Sequence, residues 1–230
     1  YLTNEIVFSI VGDISLKQIE RICKKHIEVV KEKSGKRRRQ KFKTYKSKQV
    51  SLNKDVFQTH CIIGNVAYGA HDKKKKGFIL LNNILGGPAM NSRLNMGIRE
   101  KYGFAYNIES SYTVYSDTGL FSIYLGTDQK FMEKTAKLVM KELELLRKKK
   151  ISSTQLKKAK QQLIGQITLS EENNCNVMLG MGKSLLLYSR VDGLEETFKK
   201  VEKISAEELQ DIANEVFRKN ELSSLIFKPK

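Results

Sequence analysis

The sequence predicts an α+β fold, one antiparallel-rich mixed sheet with helices packed mainly on one face. Three observations predict it. Short branched or alternating apolar runs at 6–11, 49–52, 59–64, 106–125 and 222–227 read as strands. Apolar stripes at helical spacing fill most of 132–216. Strands therefore stand both before and after a block of helices, which favours a single sheet covered by those helices. With 230 residues, 40% of them hydrophobic, the chain can bury one large core or two small ones. It contains no approach to the ~18 consecutive apolar residues of a membrane-spanning helix.

In chain order, Ile6–Val11 reads as a strand, and Gly12-Asp13 breaks it. Ser15 then caps a helix carrying Leu16, Ile19, Ile22, Cys23 and Ile27. From Gly35 to Lys48 apolar residues nearly vanish while Lys36, Arg37, Arg38, Arg39, Lys41, Lys43, Lys46 and Lys48 crowd together, the composition of a self-repelling linker. Gln49–Leu52 and Thr59–Gly64 read as short strands paired with each other. Phe78, Leu81, Ile84 and Leu85 make a helix stopped by Gly86-Gly87-Pro88, and Ser92–Lys101 a second, ending at Gly103. Tyr106, Ile108, Ser110, Tyr112 and Val114 alternate onto one strand face, Ser116-Asp117-Thr118-Gly119 turns the chain, and Leu120–Leu125 returns as the hairpin partner. Met132, Ala136, Val139, Leu143 and Leu146 stripe the next helix. Capping boxes at Ser152/Gln155 and Ser205/Glu208 open two more, one with Leu156, Ala159, Leu163 and Ile167 inside, the other with Leu209, Ile212, Ala213 and Val216. Met178, Met181, Leu185 and Tyr188 mark a further helix, and Leu222–Phe227 closes the chain as a strand.

The residues present exclude several chemistries. His26, His60 and His71 are separated by 34 and 11 positions, so no His-Glu-x-x-His or inverted His-x-x-Glu-His zinc motif exists. Cys23 and His26 share a helix face, but nothing nearby completes a zinc ligand set. The sequence has no Gly-x-Ser-x-Gly elbow, and Gly86-Gly87-Pro88 comes after a helix and lacks the lysine and hydroxyl of a phosphate loop. Three cysteines are too few and too scattered for a disulfide framework. Lys and Arg total 42 against 25 Asp and Glu, a net charge of +17. That charge supports salt-sensitive adhesion to polyanions, but only Phe42 and Tyr45 interleave with the basic run, so no specific nucleic-acid site is expected.

One stretch carries a resemblance. Leu80-Leu81-Asn82-Asn83-Ile84-Leu85-Gly86-Gly87 is succeeded by Met90-Asn91-Ser92-Arg93-Leu94, by Ile98-Arg99-Glu100-Lys101-Tyr102-Gly103-Phe104-Ala105-Tyr106, and by Tyr115-Ser116-Asp117-Thr118-Gly119-Leu120-Phe121. This pattern resembles the second half of the pitrilysin/insulinase-type zinc metallopeptidases, the family of the mitochondrial processing peptidase and its short bacterial relatives. The likeness extends from about Gln49 to the C-terminus, through Ala159-Lys160-Gln161-Gln162-Leu163. Ile10-Val11-Gly12-Asp13 before a helix looks like the end of the family's first half. The resemblance thus implies three parts: 1–34 as the last strand and helix of the preceding catalytic half, 35–48 as the basic linker, and 49–230 as the C-terminal substrate-binding half, with a metallopeptidase-half fold.

Members of that family are clamshells of two related halves, with the inverted zinc motif in the first. The resemblance therefore implies no metal ligand and no catalytic residue in this chain, zinc in an N-terminal half outside it, and inactivity when alone. The expected partners are that catalytic half or a partner subunit, and an extended peptide bound by main-chain pairing. The family's second half supplies an arginine and, seven positions on, a tyrosine that contact the peptide near the scissile bond; here they match Arg99 and Tyr106. Guanidinium and phenol donors can hold peptide carbonyls and developing oxyanion charge. Read from spacing alone, the same residues are a surface arginine at a helix C-terminus and a core tyrosine on the Ile108 face. Two other functions stay open: a non-catalytic structural or presenting subunit of a peptidase complex, and a basic nucleic-acid-binding module.

Overall fold

The structure, a computed structural model, describes residues 2–35 and 40–230; Lys36, Arg37, Arg38 and Arg39 of the predicted linker lie outside the described residues. Its contacts divide the chain into two compact units, 1–41 with 164–197 and 42–163 with 198–230.

The larger unit holds a five-stranded sheet built from β1 (Gln49–Lys54), β2 (Thr59–Ala67), β3 (Ala105–Val114), β4 (Gly119–Thr127) and β5 (Ser223–Pro229), in the order β1-β5-β2-β4-β3. Three of the four pairings are antiparallel, and β1 with β5 is parallel. The predicted pairing of β1 with β2 is thereby corrected. The closing strand enters between them, with Ile226 beside both Ser51 and Cys61. Local sequence holds no sign of this, because the inserted partner arrives some 150 residues later.

Alternation along the strands sends Cys61, Ile63, Ile108, Phe121, Ile123 and Leu125 to one buried face, leaving Ile62, Leu120 and Ser111 exposed on the other. Helices α2 (Lys75–Gly86) and α7 (Ala206–Val216) pack on the buried face, and α3 (Met132–Lys148) packs beside α7. Phe78 of α2 is the hub. Its ring meets Tyr112 at 4.6 Å and Phe121 at 5.5 Å, both edge-on, and Phe217 at 6.0 Å. Gln155 and Ser152 bond reciprocally to open α4 (Ser153–Glu171), and Ser205 Oγ accepts from the Glu208 amide to open α7. On α4 the periodic reading missed Lys160, which is buried because its ammonium reaches the Glu202 carbonyl at 2.5 Å.

A polar clamp adds to the aromatic one. Glu215 of α7 accepts from Lys74, just before α2, and from the Tyr68 hydroxyl at 2.6 Å, while Tyr112 donates to the Tyr68 carbonyl at 2.5 Å. Residues 42–48, the described end of the predicted linker, bond along one end of the sheet. The Phe42 amide donates to Asp117 at 2.7 Å, the Tyr45 hydroxyl to the Glu221 carbonyl at 2.9 Å, and Ser47 to the Asn220 carbonyl at 2.9 Å.

The smaller unit contains α1 (Leu16–His26), capped by Ser15 as predicted, and α5 (Asn174–Tyr188), capped by Asn173. Helix α6 (Leu194–Glu202), absent from the periodic reading, begins here and ends in the larger unit. Ile6–Val11, predicted as a strand, has no ladder partner among the described residues; Ser9 bonds the Met178 carbonyl at 2.8 Å instead. A branched apolar run becomes a strand only where another edge offers its N–H and C=O groups. Among the described residues of this unit none is buried, and Leu16, Leu179, Leu186 and Phe8 are at least half exposed.

The core makes two contributions to stability that can be measured. Phe78→Ala removes the hub ring and is expected to cost about 3–5 kcal/mol in urea unfolding. Lys74 and then Tyr68 hold the Glu215 carboxyl below its usual range. A depressed folded pKa stabilises the fold above the ordinary carboxylate value near ~4.3 and loses that contribution as pH falls through the folded value. Glu215→Gln is therefore expected to unfold more easily at pH 7 than wild type, with the gap closing below about pH 4.

Candidate functional site

Arg99 and Tyr106 stand at the end of the sheet where β3 begins. The helical stretch before them is anchored by Leu94 and Ile98, both fully buried, but its middle, Asn95–Glu100, winds as a π-helix. A π segment carries an extra residue in its hydrogen-bonded ring and turns the succeeding residues away from the α-helical direction. Arg99 lies inside it, exposed, with its Nε 3.9 Å from Glu100 Oε1, a loose surface pair of little energetic weight.

Gly103 then reverses the chain at φ +61°, its amide bonded to the Arg99 carbonyl at 2.9 Å. Phe104 stacks on Phe131 at 4.7 Å and on Tyr102 at 5.4 Å, and its carbonyl accepts from the Thr127 hydroxyl. Strand β3 is irregular at its first step. Ala105 pairs with Thr127 and Asn107 with Gly126, so Tyr106 is the extra residue of a β-bulge.

That bulge corrects the predicted strand face. Ile108, Ser110 and Tyr112 face the helices as expected, but Tyr106 is 63% exposed and is not the core tyrosine of the Ile108 face. Its hydroxyl donates to Asp128 Oδ1 at 2.9 Å, and this carboxylate, first, holds the phenol pKa above its ordinary value. Arg99 and Tyr106 thus share one seven-residue connection, while their side chains bond to different neighbours, Glu100 and Asp128. Sequence reasoning missed Asp128. Standing between a strand and a helix, it carries only the ordinary signal of a helix cap.

Farther along the same end of the sheet, His60 Nδ1 and the Tyr124 hydroxyl lie 2.8 Å apart on the face away from the helices. Beside them, burial pushes the Cys61 thiol up to about 12, so it is an inert core group rather than a nucleophile. Among the described residues no three His, Cys, Asp or Glu side chains are grouped to hold a metal ion. The described residues of this chain therefore do not fit zinc.

The sequence profile of the family described as the peptidase M16 inactive domain matches residues 1–163. This chain belongs to that family. A curated relative, an uncharacterised zinc protease of Bacillus subtilis, is 27% identical over 229 residues, covering 98% of this chain and 54% of its own. This chain thus spans about half the length of that relative. Its fold is that of solved proteins. A peptidase M16 inactive domain from Pseudomonas fluorescens superposes with TM-score 0.84 at 22% identity, covering 96% of this chain and 53% of that one. A protease from Helicobacter pylori gives 0.85 at 21%, covering 95% and 54%.

The turn that joins the two candidate residues is testable by itself. A Cβ at Gly103 would meet no atom within 4 Å, so the whole cost of Gly103→Ala is its left-handed backbone. We expect a loss of about 1–2 kcal/mol, read as a lower melting temperature, and a smaller loss for Gly103→Asn.

Proposed function

We propose that this M16 inactive domain is the substrate-binding part of a two-half zinc peptidase, with residues 49–230 as the binding half, 1–34 as the tail of the catalytic half and 35–48 as the linker. Arg99 and Tyr106 contact an extended peptide and orient it for hydrolysis at zinc held outside this chain. The observation that carries this reading is Tyr106: a bulge turns an aromatic hydroxyl out of the core, seven residues from an exposed arginine, and the resemblance implies a peptide-contacting pair at this spacing.

Each group has a definite task. The Arg99 guanidinium offers several N–H donors to peptide carbonyls, and its charge favours whichever carbonyl oxygen gains negative charge during hydrolysis. The Tyr106 phenol, protonated through the neutral range and exposed, offers one more hydrogen-bonding group. Neither residue needs to gain or lose a proton. The exposed apolar side chains of the smaller unit support the assignment of 1–34, since Phe8 and Leu16 want a cover that a preceding half would supply.

The test is zinc-dependent cleavage of an unfolded peptide by the complete protein, with this chain alone as control. We expect activity in the complete protein that a chelator abolishes, and none in the chain alone. Arg99→Ala and Tyr106→Phe should each cut kcat/KM by about tenfold or more with zinc content unchanged. A complete protein without zinc or activity would favour the non-catalytic subunit instead.

A further inference from the structure

We propose that Asp128 is a positioning residue for Tyr106, fixing its phenol by taking the hydroxyl proton in a hydrogen bond so that the exposed oxygen meets a peptide as a hydrogen-bond acceptor. This inference rests on the reading of Tyr106 as a peptide contact.

Asp128 occupies the position where a chain leaves a strand and enters a helix, immediately after β4 and before the turn Gln129–Phe131 that leads into α3. An aspartate there is ordinarily spent on a free backbone amide of the helix. Here the side chain caps no amide; only its backbone carbonyl does so, accepting from Phe131 at 2.9 Å. The carboxylate turns the other way and accepts from the Tyr106 hydroxyl at 2.9 Å.

The separation of these two groups is set by backbone on both sides. Thr127, directly before Asp128, donates its hydroxyl to the Phe104 carbonyl, and Phe131, three residues after it, stacks on the Phe104 ring at 4.7 Å. The bulge at Tyr106 lies between Ala105, paired with Thr127, and Asn107, paired with Gly126. Two anchors thus hold the segment carrying the carboxylate against the segment carrying the phenol. An exposed tyrosine with a free hydroxyl would sample several orientations; this one is held in a single one by a charge-assisted bond.

The direction of that bond matters. A phenol has one proton and two lone pairs, and a carboxylate can only accept. With its proton directed at Asp128, the Tyr106 oxygen has lone pairs left for solvent or for a main-chain N–H of a bound peptide. Donation to a carbonyl or oxyanion would require the proton to turn away from Asp128 first. Asp128 thereby divides the work with Arg99, which has donors only.

The experiment is a double-mutant cycle in the complete protein, assayed by peptide cleavage with zinc content and melting temperature measured alongside. Asp128→Ala should lower kcat/KM by about tenfold, the value of one oriented hydrogen bond, as Tyr106→Phe does. The double variant should be no worse than Tyr106→Phe alone. Asp128→Asn, whose amide oxygen can still accept the hydroxyl, should stay within about threefold of wild type. Asp128→Ser suits the start of a helix but is too short to hold the phenol, and should behave as Asp128→Ala does even where it melts as wild type.

Full activity in Asp128→Ala and Asp128→Ser beside an impaired Tyr106→Phe would overturn the positioning role and leave the peptide contact standing. Additive losses in the double variant would overturn it as well, by showing that Asp128 acts on its own. Full activity in Tyr106→Phe would remove the underlying reading and this inference with it.

Discussion

Packing of one ring, Phe78, joins the layers on which the site depends. It touches Tyr112 of β3, Phe121 of β4 and Phe217 after α7, so a single buried side chain couples the hairpin, the covering helix and the last α-helix of the chain. The polar clamp of Tyr68, Lys74 and Glu215 lies next to it and ties the same three parts through their ends. Once α2 and the hairpin are fixed in this way, the stretch between them has little freedom. It must leave α2 at Gly86-Gly87-Pro88, seat Leu94 and Ile98 in the core, and return to the sheet at Ala105. Arg99 and Tyr106 ride on that constrained return.

Much of this was readable from the residues. Helical stripes located α2, α3, α4, α5 and α7, capping pairs marked where helices begin, and turn chemistry at 116–119 set the hairpin. These are short-range signals, and short-range physics decides them. The pairing of β1 with β5 was hidden because it depends on a strand at the far end of the chain, and Ile6–Val11 carried a strand composition without a ladder among the described residues. Lys160 was hidden for another reason: burial of a lysine depends on a carbonyl that only the tertiary fold delivers.

At the site, the seven-residue spacing was visible and the geometry was not. Periodic reasoning assumes an unbroken helix up to Lys101 and an unbroken strand from Tyr106, which would bury Tyr106 with Ile108. Both assumptions fail locally, through the π segment at Asn95–Glu100 and the bulge at Tyr106. Regular periodicity is what pattern reading detects, so departures from it escape. Asp128 escaped because its alternative task as a cap fully accounts for its presence in the sequence.

The two irregularities share a form: each is one residue more than the regular structure needs. The site is therefore sensitive to the length of the chain as well as to its chemistry. Loss of a single residue within 95–97 would let an ordinary helix form and swing Arg99 by roughly 100° around the axis, with both candidate side chains still present. Removing Ala105 would in the same way let the ladder close and carry the tyrosine to the opposite face of its strand. Among related sequences, gaps in this stretch are thus more telling than substitutions: a lineage that keeps the arginine and tyrosine but drops one of these extra residues has changed where both side chains stand.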